Sequence, residues 1–186
     1  MDKIKKQTLN KKLTVPFVVT LVGVLVVVIA LFLPYMTAVG EMAEYIEKFP
    51  DRIEIESLDL TASDMANISV ISVSKLITGI YGEDDGVIAN AIVFVFGGFL
   101  VLTALFTILK KLIAIMTFDL LSFGTFAFLN FLMKEDFIGA DKYAWGVGYY
   151  IMLMAIIVVF ASAVWMLVKK IVEKKKLSEE MLQPQE

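Results

Sequence analysis

The chain has no cysteine and no histidine. Without cysteine there is no disulfide, no thiolate metal ligand and no thiol nucleophile. Without histidine, the commonest general base and the commonest metal-binding imidazole are missing too. There is no Walker A loop, no Rossmann glycine pattern, no GxSxG elbow and no HExxH helix. These absences point away from an enzyme and imply neither a metal nor an organic cofactor. Proline is scarce, at four in 186 residues, so little interrupts the apolar stretches.

Apolar residues are what is present. They make up 59% of the chain, with a mean hydropathy of +0.79, and they fall into four runs at 14–36, 87–109, 112–133 and 146–168. Each run is near the ~20 residues that cross a bilayer as a helix. The first exceeds the ~7–15 apolar residues of a typical signal peptide. It reads as an uncleaved signal anchor, although Ala38-Val39-Gly40 offers small residues at cleavage-like spacing.

Charge is sorted between the runs. The segments before the first run, between the second and third, and after the fourth carry a net +7. The other two inter-run segments carry −9, and the formal total of −3 hides this division. Lysine-rich segments stay cytoplasmic, so both termini are expected inside a cell (cytoplasmic) membrane. The expected layout is a basic cytoplasmic tail over 1–13, an extracytoplasmic segment over 37–86, a short outer loop over 134–145 and a cytoplasmic tail over 169–186. Tyr35, Tyr143, Trp145, Tyr149 and Tyr150 fall where outer interfacial aromatics belong. An outer segment without cysteine fits a bacterial membrane.

The segment 37–86 is acidic yet patterned. Met42, Tyr45, Ile46 and Phe49 follow helical spacing, suggesting an amphipathic helix that continues from the first run. Arg52 to Glu56 and Leu58 to Leu60 alternate at strand period. Thr61 or Ser63 is placed to cap a second helix, with Asp64 in its first turn. Residues 68–73 fit a helix or a strand equally, and Gly79 and Gly82 end the element. The fold class expected is an all-α integral membrane protein. It is a four-transmembrane-helix bundle with a small extracytoplasmic cap of short helices, or helices with a short β-hairpin, between the first two spans.

Three groups are candidates for function. Asp119 is an acid inside the third run, about 10 Å from its lysine end at helical rise. An ionisable group there costs ~2.5–3.5 kcal/mol on insertion scales and faces a bundle or a wet cavity. Ser122 and Asn130 share its face, and depth-matching brings Thr20, Thr103 and Ser162 to its level from the other three runs. This set fits a proton- or cation-coupling site, a polar clasp between helices, or a shallower acid that snorkels. Glu83, Asp84 and Asp85 between Gly82 and Gly86 fit a cation-binding loop of hard oxygen ligands or a solvated acidic loop. Lys110, Lys111, Lys169 and Lys170 are placed to contact anionic lipid head groups or to act only as stop-transfer charges. The basic residues all lie beside the membrane with no recognition motif, so nucleic acid is not an expected partner.

Four spans, inner termini and a larger first outer loop resemble the layout of the claudin and peripheral myelin protein group. That group carries a Gly-Leu-Trp motif and a cysteine pair in its first outer loop, and this chain has neither. The resemblance therefore implies topology alone. The expected function is that of a non-enzymatic accessory, sensing or interaction subunit acting through the acidic outer segment. Its partners are then the lipid bilayer and another membrane protein or further copies of itself. The alternative is a small oligomeric transporter or channel subunit using Asp119 as its coupling acid.

Overall fold

A computed structural model of the chain describes residues 3–49, 61–134, 138 and 141–182. The alternating stretches Arg52 to Glu56 and Leu58 to Leu60 lie outside the described residues. The protein is mostly helical. Four long helices, α1 (Lys3–Ala30), α5 (Glu83–Ile108), α6 (Leu112–Met133) and α7 (Val147–Leu182), close a ring in which α1 packs on α7, α7 on α6, α6 on α5 and α5 on α1. Three segments are long and apolar enough to cross a membrane: Glu83–Ile108, Leu112–Met133 and Val147–Lys176. The described apolar part of α1, Val15–Ala30, is shorter. The outward faces are apolar as well. Phe94 is 80% exposed and Ile113 74%, and helices that are hydrophobic all round belong in lipid or in a large core.

The α5–α6 hairpin closes through a tight turn. Lys110 is left-handed (φ 55°). Its N–H donates to Thr107 O (3.0 Å) and that of Lys111 to Phe106 O (3.0 Å), a Schellman ending with lysine where glycine is usual. Phe96 stacks on Phe126 with centroids 6.3 Å apart, and Phe106 on Phe118 at 5.3 Å. The Phe96–Phe126 pairing fixes the register. The buried stripe Phe96, Leu100, Thr103, Thr107 runs antiparallel to Ile115, Asp119, Ser122, Phe126 with the same spacing, so Thr103 lies level with Asp119.

At the opposite end a three-stranded antiparallel sheet joins distant parts of the chain. Its order is β2 (Asn67–Ser69), β1 (Pro34–Ala38), β3 (Tyr143–Trp145). Met36 pairs with Ile68 on one side and Trp145 on the other. The first apolar run is therefore helical only to Ala30. Pro34 cannot continue a helix and biases the residue before it toward extended backbone, so Tyr35 and Met36 form the central strand. Helix α2 (Gly40–Lys48) is separated from α1 by β1 and does not continue it. The segment expected as a short loop over 134–145 contributes a strand, and the tail after residue 168 remains helical to Leu182.

Between β1 and α5 lie two more helices, α3 (Ala62–Ala66) and α4 (Val70–Tyr81). Thr61 caps α3 in a capping box with Asp64, and Ser69 caps α4 by accepting from the Ser72 N–H (3.2 Å). The 68–73 stretch thus divides, with strand to Ser69 and helix from Val70. Gly82 (φ 101°) turns α4 into α5, and Gly86 sits against Thr78 where the two helices meet. Glu83, Asp84 and Asp85 form the first turn of α5, not a loop. Carboxylates are favoured there by the helix dipole.

The sorted charges lie at opposite ends of the bundle. Glu41, Glu44, Asp64, Glu83 and Lys142 are at the sheet end. Lys110, Lys111, Lys169 and Lys170 are at the hairpin end, where Lys110 Nζ sits 5.1 Å from the Phe17 ring centroid of α1.

Candidate functional site

The bundle interior is polar in part among the described residues. Thr20, Thr103, Thr107, Asp119, Ser122 and Ser162 are each at most 4% exposed. The hydroxyls are largely satisfied within their own helices. Thr103 donates to Phe99 O (2.9 Å), Thr107 to Thr103 O (2.8 Å) and Ser122 to Phe118 O (2.9 Å). Thr20 and Ser162 also meet across the α1–α7 contact at 2.7 Å, while Pro16 O and Val159 O accept at 2.9 and 3.0 Å. Two hydroxyl protons thus serve three contacts, and whichever does not cross between helices goes to backbone.

Asp119 is 2% exposed and faces this interior from α6. Its Oδ2 is buried with no hydrogen-bond partner among the described residues. Thr103, Thr107 and Ser122 each donate to a main-chain carbonyl of their own helix.

Depth-matching is thus only partly right. Thr103 is level with Asp119 across the hairpin. Thr20 and Ser162 pair with each other, and Ile115, one turn from Asp119 toward the lysines, shares a cluster with Val159 and Ala163 on either side of Ser162. The Thr20–Ser162 pair therefore sits nearer the hairpin end. Asn130 belongs elsewhere. Its Oδ1 accepts from the Tyr35 hydroxyl, about 16 Å along α6 from Asp119. Thr107 was not among the sequence candidates, although it follows Thr103 at i+4 on the same stripe.

Tyr35 is the centre of a second feature that the sequence hides. Its ring is fully buried among Phe126 (6.2 Å), Trp145 (5.5 Å) and Tyr149 (6.1 Å), and Tyr149 also stacks on Phe126 at 5.5 Å. Tyr143 is buried too and donates from its hydroxyl to Met65 O (3.1 Å), its pKa pushed up to about 12 by burial. These aromatics tie the sheet to the bundle. Of the five expected at the lipid interface, Tyr150 is the exposed one (55%).

Two candidate groups lie at the ends. Glu83, Asp84 and Asp85 are exposed on the first turn of α5, and among the described residues no three metal-ligating side chains gather. Lys169 Nζ sits 4.6 Å from the Trp165 ring centroid. Lys110, Lys111 and Lys170 line one cleft at the hairpin end.

On α2, Ile46 is buried inward. Tyr45 is half exposed and its ring lies 5.3 Å from that of Phe49, beside the exposed carboxylates Glu41, Glu44 and Glu47.

No protein-family model matches the chain, and no match is found among curated proteins or solved structures.

Proposed function

We propose that the chain is a non-enzymatic four-span subunit of a cell membrane, with both termini cytoplasmic, that recognises another membrane protein through a folded outer cap. The observation that carries this reading is the sheet. It draws 34–38, 67–69 and 143–145 into one unit over the bundle, which supports a built surface and not a set of linkers. On that unit, α2 turns Tyr45 outward among carboxylates. A half-exposed aromatic rimmed by acids suits a partner with an apolar contact and a basic rim. The charge division between the two ends supports the orientation.

The test is a photo-crosslinking amino acid placed at Tyr45 and, as a control, at Trp165 in native membranes. A discrete adduct is expected from position 45 alone, and it should weaken when Glu41 and Glu44 are both changed to lysine. Equal adducts from both positions, or adducts indifferent to the charge reversal, would contradict the proposal.

One observation favours a second reading, a small oligomeric transporter or channel subunit. It is the buried, unpartnered Oδ2 of Asp119, an acceptor suited to a proton or cation. Against it, the Thr20–Ser162 contact joins α1 to α7 as a structural clasp would.

A further inference from the structure

The hairpin end holds a cleft of about 540 Å³ between the start of α6 and α7. Three of its lining residues are lysines: Lys110 and Lys111 from the turn, and Lys170 from α7. Its lining includes no acid. The remaining wall is mostly apolar, with Leu112, Ile113 and Phe118 on one side and Leu167 on the other. Two further grooves, between α5 and α6 and between α1 and α7, are lined almost wholly by apolar side chains. Neither of those two has a lysine or arginine in its lining.

We infer that this cleft is a binding site for one anionic phospholipid, its phosphate held by Lys110, Lys111 and Lys170 and an acyl chain lying along the apolar wall. The chemistry is that of a basic pocket between helices at head-group depth. Depth follows from the fold, since Lys110 and Lys111 join two helices that are each long enough to cross a bilayer. Backbone donors add to the lysines. The first bond of α6 runs from Ile115 N–H to Lys111 O (3.0 Å), so the amides of Leu112, Ile113 and Ala114 lack a helical acceptor, and all three residues line the cleft.

The lysines do not act alike. Lys110 is steadied over Phe17 of α1. Lys169 lies over Trp165 and is not part of the lining, so of the four membrane-edge lysines it is the natural control. The apolar wall selects a lipid over a free phosphate, which would leave Phe118 and Leu167 uncovered. A bound lipid would join the hairpin to α7, and the site stands independently of what the outer cap recognises.

The test uses the full chain purified in a neutral detergent, with phosphatidylglycerol, phosphatidylcholine and inorganic phosphate as separate probes. Native mass spectrometry is expected to show one phosphatidylglycerol retained, and thermal melting to show stabilisation by that lipid alone. Lys111→Gln and Lys170→Gln should each weaken binding by about fivefold. Lys169→Gln should not, and the Lys111→Arg/Lys170→Arg double variant should retain binding. Folding of each variant is checked by its melt in phosphatidylcholine, and the two single variants and the arginine pair are read separately if one of them fails to fold. Equal binding of the two lipids, equal loss in Lys169→Gln, or full stabilisation by millimolar phosphate without lipid would overturn the inference.

Discussion

Asp119 is the one acidic residue in the buried interior among the described residues, and its Oδ2 has no hydrogen-bond partner among them. A buried acceptor without a partner costs about 1–3 kcal/mol. Asp119→Leu, which fills a similar volume without a polar atom, is therefore expected to raise the thermal stability of the purified protein. A drop in melting temperature would mean that the carboxyl holds the bundle together after all. If the same variant, reconstituted in vesicles, lost an ion or proton flux that the wild type shows, the transport reading would gain. The sequence made Asp119 visible because one acid in 22 apolar-run residues is conspicuous. It could not show the unpartnered oxygen. That depends on how the four helices pack around it, which no local pattern encodes.

At the scale of elements, the long helices were the legible part. The third run and α6 share the bounds 112–133, because a lysine pair and a lysine end delimit an apolar stretch of membrane length. The sheet was not legible. Tyr35 and Met36 are buried in a central strand, and such a strand reads as a continuous apolar run, here indistinguishable from the helix before it. β3 is three residues long, and its pairing with β1 spans more than a hundred residues, a long-range contact that no local pattern encodes. The junction between β3 and α7, which rests on β1, nevertheless left a trace in glycine. A Cβ on Gly146 would meet Pro34 O, and Gly146 N–H donates to Tyr35 O (2.8 Å). The obstacle is backbone, so it cannot swing aside as a side chain would. Gly146→Ala is expected to cost about 1–3 kcal/mol and to expose the Tyr35–Trp145–Tyr149 cluster, seen as a red shift and broadening of tryptophan emission. An unchanged melt and emission would show that β1 does not press on the start of α7.

For the whole molecule, the claim on which the functional proposal rests is that the sheet end faces outward and the hairpin end inward. The charge pattern carries the expected orientation, because topology depends on lysine placement, which is local in sequence. What the outer unit binds was not readable, because α2, the sheet and α7 converge only in the folded chain. The absence of native cysteine provides a direct measurement: single cysteines placed at Glu44, Lys142, Lys111 and Lys176, each probed with a membrane-impermeant maleimide on intact cells and again after permeabilisation. The account predicts that positions 44 and 142 label on intact cells, while 111 and 176 label only after permeabilisation. Labelling of 111 on intact cells, or 44 and 142 falling on opposite sides, would contradict it.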